Sequence, residues 1–148
     1  MAYKTNWNLA RYFYAGLDDP KLIDDIAQIL PKTRAFHNSY AKRFWGFTEP
    51  EEIIWFYADY SALSHDIATP SYYLFYRSSL DTQDLDVMKK MGEIEYISTE
   101  ASNLLLFISQ WWKDIWYDRI MKWYMDPKLA RYKNDLLSTA NGIKYILS

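Results

Sequence analysis

The chain has 148 residues, half of them hydrophobic and about a quarter charged, the balance of a globular domain able to bury roughly 70% of its unfolded surface. A formal net charge of −2 with no charged tail, and a sequence pI of about 5.7, argue against nucleic acid as a partner, since a duplex-binding domain usually shows a basic face and a high pI. The absence of cysteine excludes disulfides, thiolate metal sites and cysteine nucleophiles.

Residues 1–17 read as an irregular arm, with a turn of helix around Leu9 to Tyr14. No apolar leader core follows Met1, and the longest apolar run, Leu104 to Ile108, is far short of the about 20 residues of a membrane span. The expectation is a cytoplasmic chain with no membrane partner. Asp18-Asp19-Pro20 is a helix start, an Asp cap with proline at the first helical position. Leu22, Ile23, Ile26, Ile29 and Leu30 then recur at helical spacing. Pro31 is expected to kink this helix, which resumes through Phe36, Tyr40 and Phe44 and predicts a first element over 20–45.

Thr48 is expected to cap the second element, with Glu51 at the capping-box position. That helix is predicted over 50–68, broken at Ala68-Thr69-Pro70 and followed by a separate piece over 71–80. The longest element is predicted over 84–124, its apolar face marked by Leu85, Met88, Met91, Tyr96, Leu104, Phe107, Ile108, Trp111 and Trp112. Asp126-Pro127 caps a last helix over 127–140, and Asn141-Gly142 reads as its stop. No alternating segment is bounded by turn pairs, so strand signals are weak. The reading is one all-α domain over 1–148, an antiparallel bundle of about four to six helices, several long and kinked.

Catalytic constellations are missing. The two histidines, His37 and His65, stand 28 residues apart, whereas a helical zinc-peptidase motif needs two imidazoles at i and i+4 with an intervening Glu. His65-Asp66 is half a metal site without a third ligand. The acid pairs Asp24-Asp25, Glu51-Glu52 and Glu93/Glu95 diverge around a helix. Glu100, among small polar residues, is the acid expected to be buried. There is no nucleophile elbow, and four glycines at 16, 46, 92 and 142 build no phosphate loop. No cofactor or metal is expected.

Aromatic residues are the anomaly: seven Trp, fourteen Tyr and seven Phe. Trp112, Trp116 and Trp123 fall near one helical face with Trp111 beside them, and Tyr72, Tyr73, Phe75 and Tyr76 form a second cluster. Aromatic stripes at helical spacing usually pack. Surplus rings mark an interaction surface, for which Trp111, Trp112, Trp116, Trp123, Tyr72, Tyr73 and Tyr76 are the candidates.

The run Asn6-Trp7-Asn8-Leu9-Ala10-Arg11-Tyr12-Phe13, followed by Leu17-Asp18-Asp19-Pro20-Lys21-Leu22, resembles the opening of oligoendopeptidase F-type metallopeptidases. The likeness continues in order through Phe36, Tyr40 and Phe44, then Thr48 to Tyr60, Leu104 to Trp112, Leu129-Ala130-Arg131-Tyr132 and Tyr145-Ile146-Leu147-Ser148. It covers only the N-terminal helical region of those longer enzymes, whose zinc motif lies beyond the matching stretch, so no catalytic residue carries over. The resemblance implies a non-catalytic lobe that restricts entry to short peptides. The expected partners are the missing catalytic domain, a second copy or another protein. In the family pattern Ser148 would cap a further helix, which implies an excised domain, a truncated gene product or a natural stand-alone protein. The alternative reading is a stand-alone interaction module using an aromatic surface.

Overall fold

The computed structural model describes residues 9–43, 46–115 and 117–146, with side chains described as far as Asn141. Five α-helices occur among the described residues and no strand: α1 (Pro20–Tyr40), α2 (Pro50–Leu80), α3 (Leu85–Asp114), α4 (Tyr117–Met125) and α5 (Lys133–Ile146). Short 3₁₀ turns at Leu9–Arg11 and Pro127–Tyr132 precede α1 and α5.

Local chemistry sets the helix starts. The Asp19 carboxylate accepts from the backbone N–H of Lys21 at 2.9 Å and of Ala15 at 2.7 Å, which ties the arm to the head of α1. For α2 the cap is Glu49, not Thr48, and the reaching acid is Glu52, not Glu51. Pro50 occupies the first helical position, so the cap must be the residue before it. The Glu52 carboxylate accepts from the N–H groups of Thr48 and Glu49 at 3.0 and 3.2 Å. Asp84 caps α3 through the N–H groups of Asp86 and Val87, both at 3.1 Å.

The long helices run up, down and up. Lys32 pairs with Asp66, while Tyr40 donates to Asp59, so α1 and α2 are antiparallel. Tyr57 meets Trp112 at one end of the α2–α3 seam, and Tyr72 and Phe75 lie beside Met91 and Ile94 at the other, so that pair is antiparallel too. Two apolar clusters fill the interior. One gathers Leu9, Tyr14, Leu22, Ile26, Tyr73 and Leu74 with Ile94. The other gathers Phe36, Tyr40, Phe47, Phe56 and Trp111 with the buried residues of α4 and α5. Ile67 packs against both.

Several element boundaries depart from the sequence reading. α2 is one helix over 50–80 rather than two pieces. Pro70 is buried and costs one backbone hydrogen bond. The hydroxyls of Thr69 and Ser71 donate to the carbonyls of His65 and Ile67 beside the gap, and packing on both sides holds the helix through it. The helix assignment of α1 likewise runs through Pro31, whose ring is exposed. α1 stops at Tyr40 rather than 45, because the chain turns back to bury Phe47 edge-on to Tyr40 at 6.3 Å; residues 44 and 45 lie outside the described set.

The expected helix over 84–124 breaks at Ile115, whose backbone is extended (φ −81°, ψ 134°) and whose side chain is buried. The expected helix over 127–140 opens as a 3₁₀ turn and runs past Asn141-Gly142 to Ile146. Gly142 costs such a helix only about 1 kcal/mol.

Two buried tyrosines and a partly buried one report on this packing. Burial and a bonded carboxylate push the hydroxyls of Tyr14 (to Asp25) and Tyr40 (to Asp59) well above the usual tyrosine range; burial does the same to Tyr57. A raised folded-state value means that their contribution is fully present below about pH 10, the ordinary tyrosine value, and is lost as pH climbs above it, because the unfolded chain ionises first. The urea midpoint is therefore expected to stay flat between pH 7 and 9 as far as tyrosines contribute, and to fall above about pH 10. Tyr14→Phe and Tyr40→Phe should each make that alkaline fall shallower.

Candidate functional site: an open furrow between α2 and α3

Two hollows lie along the α2–α3 seam. The lower one, about 540 Å³, is walled by Tyr57 and Tyr60 of α2, Leu105, Leu106 and Trp112 of α3, and Asp135 of α5. The upper one, about 570 Å³, is walled by Tyr72, Phe75 and Tyr76 of α2 and by Met91, Ile94 and Glu95 of α3. Tyr57 and Phe75 stand 18 residues apart on α2, as do Met91 and Ser109 on α3. Eighteen residues make about five turns, so each pair shares a helix face. The hollows are two stretches of one furrow about 27 Å long at about 1.5 Å per residue.

The furrow ends differently because α3 breaks. Had the helix continued, Trp123 would lie about 18 Å along the axis from Trp111. The extended backbone at Ile115 instead precedes the α4 helix that brings Trp123 to within 5.9 Å of Trp111, with the rings only 21° from parallel. Arg119 fixes this return. Its guanidinium donates to the Phe47 carbonyl and sits 5.4 Å over the Trp123 ring. The turn after α4 adds Tyr132, stacked on Tyr57 at 4.9 Å, and Lys128, paired with Glu51 at 2.6 Å. α5 therefore adds a wall to the lower hollow, whereas among the described residues the upper one is lined by α2 and α3 alone.

The aromatic candidates divide accordingly. Trp111 and Trp123 are 2% and 3% exposed; they are core, and the outer face of this chain does not include them. Tyr73 is also buried, edge-on to Tyr14 at 5.1 Å, because its neighbours in the helix take the outer face. Burial raises the pKa of its hydroxyl, with Arg77 opposing. Trp112 is half-buried and lines the lower hollow. Trp116 lies outside the described residues. Tyr72 and Phe75 are each 57% exposed and Tyr76 less so, and these three share the upper hollow.

Glu95, Leu106 and Asp135 complete the furrow and were not anticipated. Helical spacing could have placed Leu106 and Glu95 on one side of α3, but the approach of α5, which supplies Asp135, has no local signal.

The two histidines and Glu100 stand on separate helices. His37 meets the Phe107 ring edge-on at 5.4 Å, and His65 is exposed on α2 beside Asp66, whose carboxylate pairs with Lys32. Glu100 is exposed, because the buried side of α3 at that level is taken by Ala101. Among the described residues no group of three or more His, Asp or Glu side chains is placed to hold a metal ion, and no helix is long and apolar enough to cross a membrane. What the furrow offers is a long apolar trough with an acid near each end.

The division of aromatics sets unequal costs. Trp111→Ala should lower unfolding free energy by about 3–5 kcal/mol, as for other buried aromatics, whereas Tyr72→Ala should change it by no more than about 0.5 kcal/mol; urea titrations of the two variants compare them. No family model, no curated protein and no solved structure matches the chain.

Proposed function

We propose that this chain is a non-catalytic helical lobe of the kind that oligoendopeptidase F-like metallopeptidases carry ahead of their catalytic region, acting by shape to restrict entry to short peptides. One observation carries the reading: several of the described residues that bear the resemblance also build the fold. Asp19 ties the arm to α1, Leu9 and Leu22 fill the upper cluster, Phe36, Tyr40 and Trp111 fill the lower, and Leu129 with Tyr132 seats the return segment against α2. Rigid helices held by aromatic contacts suit a wall that works sterically, with the metal chemistry supplied elsewhere.

A second reading rests on the exposed rings of Tyr72 and Phe75: an interaction module that docks a partner through the furrow. Uncovered aromatic patches of this kind mark contact surfaces.

Two measurements test the lobe reading. The purified chain with added zinc, offered an internally quenched peptide, should show no zinc-dependent turnover above a buffer control; turnover that a chelator abolishes contradicts the non-catalytic role. Sequencing the reading frame beyond the Ser148 codon should reveal a continuation containing His-Glu-x-x-His. A stop codon directly after Ser148 overturns the lobe reading and leaves the interaction module.

A further inference from the structure

We propose that the α2–α3 furrow is the seat for a basic amphipathic helix of about five turns, supplied by a partner polypeptide. The inference goes beyond the lobe reading and can fail separately from it. Its first support is shape. The three long helices pack as a sheaf, and α5 lines only one end of the α2–α3 seam. Tyr72 and Phe75 in the upper hollow and Leu106 in the lower are each more than half exposed. Between the hollows the wall is low: Ser98 and Ser102 line it, and the Ser102 hydroxyl is satisfied by donating to the Ser98 carbonyl at 2.8 Å. A helix can therefore approach Ser102 closely without stranding its hydroxyl, which suits the helix-in-groove mode of recognition.

Charge selects the occupant. Among the described residues the only charged ones lining the two hollows are Glu95 and Asp135, and neither carboxylate has an ion-pair partner there. Asp135 shares the lower hollow with Ser109, which is 14 residues from Glu95 on α3, about 21 Å of axis. The fitting helix thus carries an apolar stripe flanked by Lys or Arg near both ends. A second copy fits worse. Two furrows laid face to face about a two-fold axis set Glu95 against either Asp135 or Glu95 of the other copy, and acid against acid disfavours the contact.

Two fluorescein-labelled helical peptides of 20 residues test this, sharing one Leu/Ala stripe and flanked in one case by Lys and in the other by Glu. Fluorescence anisotropy with the full chain at low salt should show the Lys peptide binding at least about tenfold more tightly than the Glu peptide, a preference that shrinks as salt screens it. Phe75→Ser, with helicity checked by circular dichroism, should weaken the Lys peptide by about tenfold or more. Glu95→Lys combined with Asp135→Lys should invert the preference. Equal affinity for the two peptides, no binding of either, or an unchanged preference in the charge-reversed variant overturns the proposal. So does a sedimentation series in which the unliganded chain dimerises and Phe75→Ser abolishes the dimer, since a second copy would then hold the furrow.

Discussion

The stack of Trp123 on Trp111 organises the molecule. An unbroken helix from Asp84 onward would extend past the sheaf and leave the lower seam as bare as the upper. The extended backbone at Ile115 gives up helical hydrogen bonds at two new helix ends and allows burial of Ile115, Ile120 and Trp123. A buried aromatic side chain is among the largest single apolar contributions a core receives, so the trade is favourable. Once α4 has turned back, the positions of Tyr132 against Tyr57 and of α5 along the lower hollow follow from short connections. Glu51–Lys128 and Arg119–Phe47 align the return segment. The exposed ion pair adds little energy of its own.

One consequence is an asymmetry along the α2–α3 seam. Where α5 lies, Tyr57 and Trp112 are partly covered. Where it does not, Tyr72 and Phe75 keep more than half of their surface in contact with water. Monomeric domains seldom leave neighbouring aromatic rings in that state without a use. The same asymmetry leaves Glu95 and Asp135 at opposite ends of the trough with no ion-pair partner among the described residues. Shape and charge are therefore set by the fold before any ligand arrives.

Helix identity was legible in the residues, and helix boundaries only in part. Asp19-Pro20 and Asp126-Pro127 announce starts because a capping carboxylate and a proline act within three residues. Pro70 reads as a break and is not, because it is buried by the fold, which a local reading does not see. Ile115 looked like mid-helix and is the break. Nothing in Asp114-Ile115-Trp116 disfavours a helix, and the cause is Trp111, reached only after the chain has turned. The furrow was half legible. The Tyr72–Tyr76 cluster announced surplus aromatics, yet Tyr73 points inward while Tyr72 and Phe75 point outward, a phase fixed by the packing of α1. Trp111 and Trp123, the most conspicuous residues in the sequence, belong to the interior for the same reason.

Because the chain contains no cysteine, a single introduced thiol reports one position cleanly. Phe75→Cys and Leu136→Cys compare the open upper stretch with the covered return segment, where Leu136 is fully buried. Their reaction with a disulfide reagent in native buffer, each relative to its own rate in urea, measures the asymmetry on which the account rests. Cys at position 75 should react nearly as fast as in the unfolded chain, while Cys at position 136 should be slowed by about a hundredfold or more, the protection expected of a core site. Equal protection at the two positions would mean either that the upper furrow is already filled or that the α4–α5 return does not pack, and would contradict it.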